Sequence, residues 1–185
     1  MFDLINPVEL VKQAIKWCKR PKLCIKFEYL LATGSGENKY CHLRHNTTYS
    51  KESWFFRIGI NNTGKERIEE CDVRVEKILS LQNNESNIIT GSPFFLHWSS
   101  ENTNNSRSIY TDSEVFCDVV LTIKDSDRLY IHHKQKHSGA GIPSWLMPGR
   151  YIFKIKVLGA NIQPVEKDIQ IEFDGNWDNL RMKLN

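Results

Sequence analysis

The feature that most constrains the fold is an alternation of apolar and polar residues with a period of two, which recurs from Leu23 onward. Each such segment has the pattern of an antiparallel strand with one buried and one solvated face. Many short segments of this kind, without helical patterns between them, predict an all-β sandwich, with a closed barrel as the alternative. The eight segments begin at Leu23, Trp54, Cys71, Phe94, Val115, Leu129, Tyr151 and Val165.

Stretches without this alternation predict the loops and the domain boundaries. Residues 33–50, 82–92 and 99–108 are rich in Asn, Ser, Thr and Gly, and we expect solvated loops there. The tail from Gly175 carries Trp177, Leu180 and Leu184 at helical spacing, which predicts a last helical turn or a plain tail. The resulting boundaries are 1–20 for an N-terminal helix, 21–175 for the sandwich and 176–185 for the tail.

A helical period marks the N-terminus. Asn6 is a favoured N-cap, Pro7 suits the first helical position, and Pro21 ends the pattern, which predicts a helix from about Pro7 to Lys19. The helix is amphipathic, because its apolar residues fall on one half of the circumference. The residues we single out are Val8, Val11, Ile15 and Trp17 on the apolar half, and Lys12, Lys16 and Lys19 on the polar half.

Three interpretations of this helix follow from its two faces. Its apolar half packs on the sandwich of the same chain, or it binds a protein partner or a second copy, or it lies on an anionic membrane surface. Between Leu10 and Lys26 there are six basic residues and no acidic one, which suits an anionic surface. The net charge of +3 is too small to indicate a dedicated nucleic-acid binder, so nucleic acid is not an expected partner.

The cysteines and the N-terminus bear on location. The five cysteines are odd in number and show no Cys-x-x-Cys spacing, and the first residues do not resemble a secretory signal. We therefore expect reduced thiols and a cytoplasmic protein, peripheral to the membrane in the third interpretation of the helix. No apolar run approaches the roughly 18 residues that a membrane-spanning helix needs.

The residues that could carry chemistry do not form a recognisable catalytic or metal-binding motif. Cys41 and His45 could bind a metal from a loop, but no second spaced pair accompanies them. His132 and His133 are adjacent in a predicted strand and should point to opposite faces. We expect no metal, no cofactor and no catalytic residue, and keep a metal- or cysteine-dependent enzyme as the remaining alternative.

An apolar segment between two predicted strands is the second candidate binding surface. In HSGAGIPSWLMPG, the polar residues expected of a loop are replaced by Ile142, Trp145, Leu146 and Met147. Such a loop either caps an open end of the core or meets a partner, and Trp is a favoured interface anchor.

Two stretches resemble a known family. FFRIGINNTGKERIEECDVRVEKI and LMPGRYIFKIKVLGANIQPVEKDIQIEF are similar to the B–C strands and the closing F–G hairpin of bacterial immunoglobulin-like domains of the CARDB kind. The resemblance covers roughly Lys22 to Asp174 and implies an immunoglobulin-like antiparallel β-sandwich of seven to eight strands, here preceded by a short amphipathic helix. It also implies a non-catalytic role in adhesion, scaffolding or ligand presentation.

The expected function is therefore a non-catalytic protein-interaction module, an accessory or sensor subunit. It would act through the apolar loop and the N-terminal helix. The alternative is a peripheral membrane-associated domain anchored by the basic helix.

Overall fold

One helix and fourteen strands are found in the part of the chain that the computed structural model describes, which is residues 7–27, 39–82, 85–99, 105–134 and 141–185. The side chains of residues 16–18 lie outside this description. The elements are α1 (Pro7–Lys19), β1 (Leu23–Lys26), β2 (Cys41–Asn46), β3 (Lys51–Asn62), β4 (Ile68–Gln82), β5 (Glu85–Thr90), β6 (Phe94–Phe95), β7 (His97–Trp98), β8 (Arg107–Ile109), β9 (Glu114–Ile123), β10 (Leu129–Ile131), β11 (Trp145–Leu146), β12 (Gly149–Leu158), β13 (Val165–Phe173) and β14 (Leu180–Leu184).

The strands form two antiparallel sheets of seven strands each, which confirms the predicted all-β sandwich with one short N-terminal helix. In the first sheet β3 and β9 lie side by side at the centre, with β1 and β2 on the outer edge of β3. The other edge of β9 pairs with β7 and β10, and β11 follows β10. In the second sheet the order is β14-β13-β12-β4-β5, and β6 and β8 also pair with β4.

The core lies between the two sheets and follows from the alternation of the sequence. Phe153 is fully buried in β12, between its register partners Ile78 and Ile169, which are also fully buried. Phe56 and Val119 contribute from the first sheet, as predicted from their positions. Trp54 was expected in the core as well, but it is only partly buried and packs at its margin.

The prediction of seven to eight strands was too low, because three of the segments expected to be loops contain short strands, the segment from Phe94 is divided into β6 and β7, and β11 and β14 are additional strands. The segment 33–50 contains β2, the segment 82–92 contains β5, and the segment 99–108 overlaps the start of β8. Each of these strands gains its hydrogen bonds from the edge of a longer strand, so its own sequence carries little alternation.

The helical turn predicted for the C-terminal tail is wrong. Leu180–Leu184 is a strand that pairs with β13, with Phe173 opposite Leu180 and Ile171 opposite Met182. Leu180 and Met182 are buried, and Arg181 between them is exposed. The tail therefore extends the sandwich beyond residue 175.

A buried ion pair joins the two sheets where β6 leads into β7. Lys134 follows β10 of the first sheet, and its backbone N–H donates to the carbonyl of Phe95 in β6 of the second sheet, at 2.8 Å. Its ammonium donates to the carboxylate of Asp72 in β4 and, at 3.2 Å, to the carbonyl of Asn105. The Lys134 side chain is 1% exposed and that of Asp72 is 20% exposed, so the pair is held largely away from solvent.

The exit of the helix is fixed to the turn after β3. The buried amide of Asn62 accepts hydrogen bonds from the N–H groups of Lys22 (3.3 Å) and Gly64 (3.0 Å), and donates to the carbonyls of Glu66 (2.8 Å) and Ile109 (3.1 Å). A Cβ on Gly64 would lie 2.4 Å from both the carbonyl oxygen of Arg20 and the nitrogen of Lys22. Only glycine allows this close approach, which ties the residues after the helix to the sandwich.

Candidate functional site

The apolar half of the helix lies on the surface of the described structure. Val8, Leu10, Val11 and Ile15 are between 49% and 58% exposed. The interpretation in which this half packs on the sandwich of its own chain is therefore wrong for the residues described. Trp17 and Lys16 were predicted to belong to this surface, but their side chains lie outside the described part.

The polar half of the helix is also exposed and predominantly basic. Lys12 forms an ion pair of 2.9 Å with Glu9, and both side chains are more than half exposed. Lys19 and Arg20 are exposed at the end of the helix. An exposed pair of this kind contributes little to stability, so an external anionic surface would replace it at little cost.

The predicted apolar loop forms a short strand and divides between the core and the surface. Leu146 is buried opposite Leu129 of β10, and Ile142 packs against the core. Trp145 and Met147 stay at the surface, and the guanidinium carbon of Arg128 lies 4.1 Å from the centre of the Trp145 indole. Two of the four predicted partner-binding residues thus cap the core, and two remain accessible.

A cleft that the sequence analysis did not identify opens on the outer face of the first sheet. Its volume is about 800 Å³, within the range of pockets that hold small molecules. Part of its lining is a row of neighbours across three strands, because residues opposite each other in antiparallel pairs face the same side. The row runs from Phe55 in β3 through Leu121 in β9 to Tyr130 in β10, and its next member, Trp145 in β11, lies outside the lining of the cleft.

Two contacts bridge the cleft from β2 and the turn that follows it. The Arg44 guanidinium lies 5.8 Å from the centre of the Phe55 ring and donates to the carbonyl of Ser99, at 3.3 Å. The ring of Tyr49 lies 5.3 Å from that of Tyr130. Phe55 therefore lies beneath an arginine, and a pair of tyrosines closes part of the same cleft.

A polar cluster forms the deepest part of the cleft. Asp118 is almost fully buried, and its two carboxylate oxygens have different partners: the Ser99 hydroxyl donates to one, and Nδ1 of His132 lies 3.2 Å from the other. The His132 ring stacks on that of His97, with 4.6 Å between centres, and meets the edge of Phe55. Burial, together with the charge of His132, lowers the pKa of His97 to about 4, so His97 is neutral at pH 7.

The order of groups in this cluster differs from that of a nucleophilic triad. In a triad the histidine lies between the serine and the carboxylate, so that it takes the proton of the serine. Here the carboxylate of Asp118 lies between Ser99 and His132. This arrangement orients the serine and the histidine rather than activating the serine.

The remaining histidines and the predicted metal ligands do not converge. His133 packs against the buried ring of Phe94 and His132 against Phe55, although both histidines line the cleft. Cys41 and His45 lie in strand β2 rather than in a loop, four residues and roughly 13 Å apart. Within the described residues no group of three or more His, Cys, Asp or Glu side chains could hold a metal; His137 lies outside them.

Two cysteines are buried thiols in the core. Burial raises the pKa of Cys71 to about 12 and that of Cys117 well above its usual value. Thiols in this state are protonated at neutral pH and are poor nucleophiles. They pack as small apolar side chains, as their positions in the alternation predicted.

Comparisons with protein-family models, with curated proteins and with solved structures found no match for this chain. In the described part of the chain, no helix has the length and apolar character needed to cross a membrane.

One signal in the sequence does point to the cleft. Phe55 and His97 occupy positions of the alternation that belong to the solvated faces of their strands. A phenylalanine on such a face is unusual, and an exposed aromatic position is a recognised mark of a binding surface. The residues that line the cleft beside Phe55 come from distant parts of the chain. The cleft can therefore be predicted only when the register of the strands is known.

Proposed function

We propose that this chain is a non-catalytic interaction module that docks on a protein partner through its N-terminal helix. The observation that supports this proposal is the exposed apolar half of the helix. Four side chains that are about half exposed form a continuous face at helical spacing. A protein groove that covers them would gain up to about 1.5–3 kcal/mol for each side chain fully buried.

The surface around Trp145 is the second part of this proposal. Trp145 and Met147 are accessible, and the Arg128 guanidinium lies over the indole at 4.1 Å, a contact that restricts its orientation. A tryptophan with a fixed orientation loses little conformational entropy on binding, which is a property of interface anchors.

Peripheral membrane association is a second candidate function, favoured by the charge of the helix. The basic residues between Leu10 and Lys26 have no acidic neighbour in that stretch, and Lys12, Lys19 and Arg20 are exposed. An amphipathic helix with a basic polar half lies in the interface of anionic membranes, with roughly 1 kcal/mol per basic residue.

Non-catalytic character and a cytoplasmic location belong to the same proposal. The first is supported by the position of Asp118 between Ser99 and His132, and by the raised pKa of Cys71 and of Cys117. The second is supported by the free thiols of Cys24, Cys71 and Cys117, two of which are buried, since buried free thiols are typical of reducing compartments.

The test of the helix is Ile15→Asp, with Ile88→Asp as the matched control. Both isoleucines are exposed, and Ile88 lies on the edge strand β5, away from the helix. We expect both variants to keep the melting temperature of the wild type, because neither charge is buried. The wild-type protein is first used to capture a partner from its native host, and the partner is then purified. We expect the purified partner to bind the wild type and Ile88→Asp but not Ile15→Asp.

Two results would count against the proposal. A large loss of thermal stability in Ile15→Asp would mean that the helix packs on its own chain. If the wild type instead sediments with vesicles that contain phosphatidylserine, and Lys12→Glu with Lys19→Glu or added salt abolishes this, the membrane function replaces the protein partner.

A further inference from the structure

The outer face of the first sheet carries aromatic rings where a solvated face normally carries polar chains. Phe55, Tyr130 and Trp145 lie in one row across the sheet. Tyr49 reaches this row from the turn after β2, and the His132 ring meets Phe55 edge-on. Four rings from three chain segments therefore line one open cleft, and Trp145 extends the row from a fourth segment. Ring faces of this kind bind flat apolar patches of a ligand.

The charged groups that line the cleft balance each other. They comprise one arginine, Arg44, and one carboxylate, Asp118, together with histidines, of which His97 is neutral at pH 7. A phosphate or carboxylate ligand would approach the buried carboxylate of Asp118, and a cationic ligand would approach the guanidinium of Arg44. This balance favours a ligand without charge.

Most of the polar groups that line the cleft both donate and accept hydrogen bonds. Asn46, Thr47, Thr48 and Tyr49 follow one another in the lining, and the neutral His97 ring has one nitrogen of each kind. A hydroxyl group is likewise both a donor and an acceptor. Several neighbouring groups of this type therefore match a ligand that presents several hydroxyls in a row.

We propose that this cleft binds a neutral polyhydroxylated ligand, an oligosaccharide chain. A pyranose ring has one face of C–H groups, which packs on an aromatic ring, and an equator of hydroxyls, which need paired donors and acceptors. Tyr49 and Tyr130 supply the rings, and His97 and the Arg44 guanidinium, which lies over Phe55, supply hydrogen bonds beside them. This site is distinct from the helix surface and does not depend on the function proposed for it.

The open shape of the cleft fits a chain better than a single enclosed sugar. The row continues past Tyr130 to Trp145 in the adjacent strand, so a longer chain would reach the Trp145 surface, where the Arg128 guanidinium contacts the indole. The polar segment 46–49 also lines the cleft. An oligosaccharide can come free in solution or attached to a protein or lipid, and the chemistry of recognition is the same.

The experiment uses the full chain and neutral sugars. Saturation-transfer NMR with maltotriose, cellotriose, chitotriose and mannotriose, followed by calorimetry, tests free ligands, and a printed glycan array tests the attached forms. We expect at least one neutral glycan to bind, and binding of array glycans only would assign the attached source. Adenosine monophosphate and inorganic phosphate serve as charged probes, and we expect no binding of either.

The variants separate the cleft from the rest of the surface. Tyr49→Ala should weaken the affinity for the bound glycan by roughly two- to ten-fold, the effect of losing one ring contact, and Tyr49→Phe should restore most of it. Tyr110→Ala is the matched control, because Tyr110 is exposed but does not line the cleft. Melting temperatures show whether each variant is folded, and Tyr130→Ala provides a second test if Tyr49→Ala does not fold.

The proposal is overturned if no neutral glycan binds in solution or on the array. It is equally overturned if Tyr49→Ala and Tyr110→Ala lower the affinity to the same extent, or if phosphate or the nucleotide binds and the neutral sugars do not.

Discussion

Removing the carboxylate of Asp72 should destabilise the protein far more than removing its partner Lys134. The side chain of Lys134 is 1% exposed, so Asp72→Asn removes the carboxylate of an ion pair in a site that water barely reaches. Breaking a buried pair in this way costs about 3–5 kcal/mol. The Asp72 side chain is 20% exposed, so water partly reaches the site. We therefore expect the loss of stability to be at the lower end of this range, at about 3 kcal/mol.

Removing the other partner of the pair should destabilise the protein less. Lys134→Met keeps most of the volume and apolar stem of the lysine but removes the charge. The carboxylate that remains at Asp72 is partly exposed and can be hydrated, so we expect a loss of about 1 kcal/mol or less. The double variant should resemble Lys134→Met, because the asparagine then faces no buried charge.

Urea denaturation followed by tryptophan fluorescence measures the free energy of unfolding of all three variants. For a chain of this size, a loss of about 3 kcal/mol corresponds to roughly 6–12 °C in Tm. Asp168→Asn is the matched control. Asp168 also forms a direct ion pair, at 2.7 Å with Lys154, but both side chains of that pair are 38% exposed. We expect it to cost less than about 1 kcal/mol.

The reasoning would be refuted if Lys134→Met cost as much as Asp72→Asn. It would also fail if the double variant were as unstable as Asp72→Asn alone. Either result would mean that packing at the junction of the two sheets, rather than the broken ion pair, determines the loss of stability.

Two further predictions concern the core and the cleft. Phe153→Ala should lower the free energy of unfolding by about 3–5 kcal/mol in the same assay, because the ring is fully buried in the centre of the second sheet; a loss below about 1 kcal/mol would contradict its place in the core. His97 should make the protein less stable in acid: burial lowers its pKa from 6.5 to about 4, so the unfolded chain binds the proton first and stability falls as the pH drops from 6.5 towards 4. Between pH 7.5 and 5 this amounts to roughly 1–2 kcal/mol, and His97→Gln should remove that part of the slope, whereas an unchanged slope would assign it to other groups.

The centres of the two sheets could be predicted from the sequence because their alternation is strict. In β12, Tyr151, Phe153 and Ile155 face the core, and the residues between them face outward. Each position in a long central strand has neighbours on both sides, so burial and sequence pattern agree.

The edges of the sheets could not be predicted in the same way. Strand β2 reads Cys-His-Leu-Arg-His-Asn and β5 reads Glu-Ser-Asn-Ile-Ile-Thr, and neither has an apolar face. Their extended conformation depends on hydrogen bonds to β3 and β4 rather than on their own side chains. In β14 the apolar residues fit two periods, since Leu180 and Leu184 suit a helix, whereas Leu180, Met182 and Leu184 suit a strand; the pairing with β13 decides between them.

The cleft depends on contacts between distant residues, which no local pattern contains. Arg44 and Ser99 are 55 positions apart, and Asp118 and Ser99 are 19 apart. They meet because β7 and β10 share one edge of β9 while β2 lies beyond β3. From the sequence alone, only Phe55 and His97 indicate this site, because they lie on strand faces that are expected to be solvated.

Neither the exposure of the helix nor the contacts that fix its C-terminal end could be predicted from the sequence. The amphipathic pattern predicted an apolar half but not what covers it. Only Arg20, Pro21 and Lys22 separate the helix from β1, a length of about 10 Å when fully extended. The carbonyl of Lys22 accepts from the N–H of Thr63 at 2.8 Å, and its N–H donates to Asn62. The end of the helix is therefore fixed to the turn that follows β3, while Val8, Val11 and Ile15 remain about half exposed.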